Sequence, residues 1–147
     1  MLTKEQELNI LRELRKDGAS TMKEIAREVK IPPSTVFDRV KKLQRELVQK
    51  TIVLIDFPKL GYFVRSHFSV GVEKHERQIL KQYLMENKNI NNLYCINNGY
   101  DFLVEAIFID IKEHEDFITD LKKAFVITKI DSHIIISDVV RERFFTS

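Results

Sequence analysis

Between Lys30 and Lys50 six basic residues (Lys30, Arg39, Lys41, Lys42, Arg45 and Lys50) stand against two acids, Asp38 and Glu46, with Ser34 and Thr35 in the same stretch. Ammonium and guanidinium groups pair with phosphates, and hydroxyl, carboxylate and guanidinium groups can read base edges. This is the composition of a surface that attracts a polyanion. Other chemistry is poorly supplied. His67, His75, His114 and His133 show no metal-ligand spacing, and Glu113-His114-Glu115 reads as an exposed helix start. Cys95 stands alone, which excludes an internal disulfide and a multi-cysteine zinc site and leaves it as a small buried hydrophobe in a strand. There is no Gly-rich phosphate loop and no serine elbow, so neither a metal nor a cofactor is expected.

The elements carrying these residues follow from capping signals and apolar spacing. Thr3 and Gln6 have capping-box spacing, and Leu8, Leu11 and Leu14 continue a helix over about 4–16 until Gly18 supplies a stop. Thr21 and Glu24 repeat the signal for a short second helix marked by Ile25, Ala26 and Val29. Pro32-Pro33 interrupts it, and Pro33 suits the first position of a third helix running to Glu46. There Val36, Val40, Leu43 and Leu47 form an apolar face, with Ser34, Thr35, Asp38, Arg39, Lys42 and Arg45 opposite. A short helix, a tight turn and a basic third helix make a helix-turn-helix, whose last helix is the right width for a DNA major groove. The expected DNA surface is Ser34, Thr35, Asp38, Arg39, Lys41, Lys42 and Arg45, with Arg39 nearest its middle as the guanine contact and Lys42 and Arg45 on phosphates. Phe37 lies between the two faces and could either touch thymine methyls or pack against a neighbour, with packing the expectation.

After Lys50 the periodicity changes. Ile52-Val53-Leu54-Ile55 is a β-rich run, and Asp56 to Gly61 carries the Pro and Gly of a turn, so 51–63 reads as a linker strand and hinge between a domain over 1–50 and one over 64–147. Strict alternation from Val64 to Glu73 predicts a strand, and Ile79, Leu80, Tyr83 and Leu84 an amphipathic helix over 76–87. Leu93–Ile96 and Phe102–Ile109 read as strands joined by a turn in which Asn98 and Gly99 suit positive φ. Asp110 starts another helix that carries Phe117, Ile118, Leu121 and Phe125 inward, and Ile130–Val140 closes as a strand. The predicted fold class is therefore α+β: a winged-helix-like helix-turn-helix domain followed by a ferredoxin-like βαββαβ domain.

Composition agrees with a folded protein. Its 147 residues are 44% apolar and 31% charged, with four Gly and three Pro, and apolar runs stop at four residues, too short to span a membrane. The first residues lack the apolar core of a signal peptide, which predicts a cytoplasmic protein. The net charge of +2 hides an asymmetry: residues 1–63 hold 13 basic and 9 acidic side chains, residues 64–147 hold 11 and 13. In the strand 102–109 both alternating sets are apolar save Glu105, so Leu103, Ile107 and Ile109 are expected to meet a partner's sheet. A helix-turn-helix also reads two half-sites as a two-fold pair, which points to a homodimer.

With these residues placed, the chain resembles the Lrp/AsnC family of transcription regulators over nearly its whole length. The resemblance rests on Ile10-Leu11-Arg12-Glu13-Leu14 leading to Asp17-Gly18, on Glu24-Ile25-Ala26, and on Pro33 through Leu43. Asp56 with Pro58, Leu60-Gly61-Tyr62 and Gly99-Tyr100-Asp101 continue it. The chain departs from the family pattern at Lys30 (usually Gly), Pro32 (usually a capping Ser) and Leu47, where Glu-Gly-Val-Ile becomes Glu46-Leu47-Val48-Gln49. The resemblance implies a transcription regulator that binds double-stranded DNA and an amino acid or related small-molecule effector, and homodimers that assemble into octamers. It implies an effector site at Gly99, Tyr100 and Asp101, with a hydroxyl from Ser132. Gly99 leaves backbone amides open to a carboxylate, Asp101 offers charge to an ammonium, and Tyr100 could cover the ligand. One alternative is a tetrapyrrole-binding decarboxylase-like relative, in which the basic third helix would have no purpose. Another is a ligand-sensing module without DNA binding.

Overall fold

The computed structural model describes all 147 residues, which divide into two compact units, Met1–Ile55 with Val139–Ser147 and Asp56–Asp138. In the first unit, helices α1 (Lys4–Lys16), α2 (Met22–Val29) and α3 (Pro33–Glu46) follow the predicted order. Both capping boxes form: Thr3 with Gln6 and Thr21 with Glu24 satisfy one another's backbone amides, worth about 1 kcal/mol per cap. Ile10, Ile25, Ala26, Val36, Val40 and Leu43 make the core of this unit. α1 ends as expected just before Gly18, on the extended residue Asp17. One sequence expectation fails here: Leu47 lies past the end of α3, exposed to solvent.

The turn between α2 and α3 holds two of the three departures from the family pattern, Lys30 and Pro32. Lys30 takes the left-handed conformation (φ 56°, ψ 45°) that glycine adopts without strain, while Ile31 donates back to the carbonyl of Ala26 at 3.1 Å. Pro32 gives α3 no side-chain cap. Pro33 occupies the first turn, where its missing amide hydrogen costs nothing.

The second unit contains β1 (Val64–Val72), α4 (Arg77–Glu86), β2 (Ile90–Cys95), β3 (Phe102–Phe108), α5 (Ile111–Ala124) and β4 (Ile127–Ile134). The sheet has the order β2-β3-β1-β4 with every pairing antiparallel, the ferredoxin-like arrangement. Val64, Phe68, Val70 and Val72 of β1 point to the helix side and bury with Phe102, Val104 and Phe108 of β3, Leu80 and Leu84 of α4, and Phe117 and Leu121 of α5. Removing each such side chain from water is worth roughly 1.5–3 kcal/mol. Phe68 is the hub, with Phe117 at 5.4 Å and Phe108 edge-on at 6.3 Å.

Several boundaries differ from the sequence reading. Ile52–Ile55 pairs with no strand and is exposed, because a β-rich run forms a strand only beside a partner edge. β4 stops at Ile134, six residues short of Val140, and the last nine residues group with the helical unit. Ile79 faces solvent, since Leu80 and Leu84 already supply the inward ridge of α4. Cys95 lies in β2 as expected but is exposed there.

Candidate DNA-binding and effector sites

On α3 a helical period of about 3.6 residues separates the side chains into an inner stripe and an outer ridge. Val36, Val40 and Leu43 are buried, while Ser34, Asp38, Lys41 and Arg45 line the exposed ridge, with Thr35 and Lys42 half-buried at its margins. Lys42 approaches Glu46 at 3.9 Å. Arg39 is placed differently from its expected position at the middle of the ridge. It lies three residues after Val36 and four before Leu43, beside the core stripe, and its Nη1 pairs with Glu7 Oε1 of α1 at 2.7 Å. Phe37 is exposed rather than packed, with Lys41 Nζ 4.4 Å from its ring centroid.

The hairpin between β2 and β3 has the predicted backbone: Asn98 and Gly99 both take positive φ (64° and 82°). A side chain at residue 99 would be strained by the positive φ, and Lys129 Nζ, the far end of a flexible side chain 2.9 Å from where its Cβ would fall, would have to shift. The same ammonium lies 3.9 Å from the Tyr100 ring centroid, and Tyr100 hydrogen-bonds to Asp131. Asp131 consequently pushes the Tyr100 hydroxyl pKa above its ordinary value, because ionisation would forfeit that bond. Asp101, expected to meet a ligand ammonium, is already engaged. One carboxylate oxygen accepts from the amide of Val72 and the other from Arg77 Nε, both at 3.0 Å. The cation beside the turn is Lys129, held over the Tyr100 ring.

Ser132 is separated from this turn in its contacts. Its hydroxyl lies 3.1 Å from His114 Nε2 and 3.3 Å from the hydroxyl of Ser66. His114 itself is 2% exposed, contrary to the expected exposed helix start. It stacks on Phe68 at 5.3 Å, and its Nε2 also meets Ser66 at 3.2 Å. One signal could have revealed this cluster: Ser66 occupies an inward position of a strictly alternating strand, and a buried hydroxyl requires a partner.

The sheet face opposite the helices is mainly polar, which corrects the expectation drawn from β3 alone. Arg65, His67 and Ser69 of β1 lie across from Ile107, Glu105 and Leu103, and His67 and Ser69 lie across from His133 and Asp131 of β4. Burial pushes the Glu105 carboxyl up, but hydrogen bonds from Asn91 and His67 and the charges of His67 and Arg65 outweigh it and hold the pKa below the usual carboxylate value. Of the three expected interface residues, Ile107 is already buried within this unit at 8% exposure and lines a cavity of about 350 Å³ with Phe57, Leu60 and Tyr62. Leu103 is half-buried, and Ile109 is exposed.

A three-helix unit with an outward basic helix, joined in one chain to a ferredoxin-like unit, is the architecture of a ligand-responsive DNA-binding regulator. The winged helix-turn-helix DNA-binding family matches residues 4–46, and the Lrp/AsnC ligand binding domain matches residues 67–144. The chain belongs to the Lrp/AsnC family of transcription regulators. An HTH-type transcriptional regulator of Pyrococcus furiosus is 31% identical over 79% of this chain and 79% of its own. LrpC of Bacillus subtilis is 28% identical over 90% of this chain and 91% of its own, and its solved structure superimposes with a TM-score of 0.83 over 95% of this chain and 99% of that one. A transcriptional regulator of Neisseria meningitidis, solved as a complex with L-Met, shares the fold at 19% identity, with a TM-score of 0.85 over 96% of this chain and 94% of that one. The relatives are regulators of transcription, not enzymes, which sets aside the decarboxylase alternative. No helix is long and apolar enough to cross a membrane.

Proposed function

We propose that this DNA-binding regulator reads specific sequences with the outer ridge of α3 and that an amino acid bound by the second unit modulates that reading. The observation that carries the DNA assignment is the exposure of Ser34, Asp38, Lys41 and Arg45 along one side of α3, opposite a fully packed inner stripe. Lys41 replaces Arg39 as the candidate guanine contact, Lys42 and Arg45 meet phosphates, Thr35 flanks the ridge, and Arg39 positions α3 against α1. Selection of binding sites from random duplexes tests this. Enrichment of a roughly palindromic site, with half-sites about one helical turn or a multiple apart, is the expected result. A pool that stays random contradicts sequence-specific reading.

For the effector, the Gly99-Tyr100-Asp101 turn is the proposed site, with a ligand carboxylate facing Lys129 and the backbone of Gly99 while Asp101 holds the turn in shape. Ser132 bonds to His114 and Ser66 and not to this turn, so it is left out of the proposed site. The matched ligand binding domain and the L-Met complex of the Neisseria relative support an amino acid as the chemical class. Calorimetric titration with each common amino acid, on the wild type and on Lys129→Ala, decides it. Heat from one amino acid that is lost in the variant is expected. Silence at millimolar concentration from all of them overturns the assignment.

We also propose a homodimer that builds larger assemblies, octamers among them. Support comes from the unpaired β-rich run Ile52–Ile55 and from Leu60, Phe63 and Ile109, which leave apolar surface exposed. Leu103 and Ile109 remain its candidate contacts on the second unit, whereas Ile107 is already buried there.

A further inference from the structure

Phe37 is an aromatic residue on the outside of a helix whose inside is already filled. Val36, Val40 and Leu43 pack the core of the helical unit, whereas Phe37 is 44% exposed. Its charged companion is Lys41 one turn on, with the ammonium 4.4 Å from the ring centroid. Ser34, Asp38 and Lys41 of the adjoining ridge are exposed beside it. An exposed ring held against a lysine, in the first half of the helix assigned to DNA, has no evident role in the stability of the unit.

We propose that Phe37 is a specificity-determining residue that reads thymine through its C5-methyl group. The proposal rests on the reading of α3 as the DNA-contacting helix and deepens it. Four features of the chemistry converge. In the major groove thymine offers the one apolar group among the four bases, and a phenyl ring forms no hydrogen bond that could read any other edge. Base edges are met by the N-terminal part of a recognition helix, and Phe37 is the fifth residue of α3. Docking in the groove removes both ring and methyl from water, which gives the exposed ring a place to bury. Lys41, seated over the same ring, brings a positive charge to the point where the ring must approach a polyanion, and the cation–π contact limits the orientations of both side chains before DNA arrives.

The test uses the full chain and duplexes selected from a random pool. Each thymine of the selected site is replaced in turn by uracil, which removes the methyl group and keeps the base pair. For the wild type, one position in each half-site is expected to lose about fourfold in affinity, the value of one buried methyl-sized group. Phe37→Ala binds more weakly and shows no difference between thymine and uracil at that position, while Phe37→Leu retains part of it. An unchanged thermal unfolding midpoint for Phe37→Ala establishes that the unit is intact. Uracil tolerated by the wild type at every position overturns the proposal, as does a uracil penalty that survives in Phe37→Ala, and both leave DNA binding itself standing. If no duplex is selected at all, the reading of α3 fails and this assignment falls with it.

Discussion

Arg39 of α3 reaches back to Glu7 of α1, with Nη1 and Oε1 2.7 Å apart and the arginine side chain 21% exposed. The pair fastens the outward helix to the first helix of its unit. Because both partners keep some contact with water, its contribution is small, at most about 1 kcal/mol. Arg39→Ala is therefore expected to lower the urea midpoint slightly and to leave the selected DNA sequence unchanged. A changed base preference at one position of the selected site would show that the guanidinium leaves Glu7 to read a base.

Substitution at Ile107 and at Ile109 should have different consequences. Ile107 is buried within its own unit, so Ile107→Asp places an unpaired charge in a packed region and unfolds it. Ile109 is exposed, and Ile109→Asp is expected to keep the fold while shifting sedimentation towards the monomer. An intact dimer for Ile109→Asp and for Leu103→Asp would place the interface elsewhere.

His114 joins α5 to β1 and β4 through Ser66 and Ser132. Truncating it removes a ring stacked on Phe68 and leaves a cavity, so His114→Ala should cost about 2–4 kcal/mol in urea unfolding. Ser66→Ala should cost less, about 1 kcal/mol, since the small residue leaves little space. Equal costs, or none for His114, would mean that the cluster adds nothing beyond ordinary packing.

Glu105 sets a direction for acid sensitivity. Its folded pKa lies below the unfolded value, so its contribution to stability is fully present above the ordinary carboxylate range. That contribution disappears as pH falls through the lowered folded value. Glu105→Gln should flatten the acid limb of the stability profile, measured by urea unfolding across pH. A parallel profile for variant and wild type would remove Glu105 from the account.

Much of this architecture is legible from residue types. Capping boxes, Pro33, the alternation of β1 and the Asn98-Gly99 turn each have a local physical cause, and each element formed where that cause lies. The candidate site was less legible because it depends on azimuth and on neighbours. Arg39 lies only about 60° from Val36 around α3, a difference that the sorting of residues into two faces concealed. β3 looked apolar on both sides, yet the open face is set equally by β1 and β4, which bring Arg65, His67 and His133. Asp101 has the right charge for a ligand, but only the fold shows that Val72 and Arg77 already occupy it. Burial of His114 likewise arises from long-range packing, for which a Glu-His-Glu triplet carries no signal.

The most direct measurement is the salt dependence of DNA affinity for the wild type and for the double variant Lys42→Ala, Arg45→Ala, on one selected duplex. Each phosphate contact contributes about 0.9 to the slope of log affinity against log salt concentration. The wild type should weaken linearly on this scale, and the double variant should show a slope shallower by about two, with the selected sequence unchanged. A slope and affinity identical to the wild type's would contradict the assignment of the α3 basic side chains to DNA, and the absence of binding at low salt would contradict DNA reading by this helix altogether.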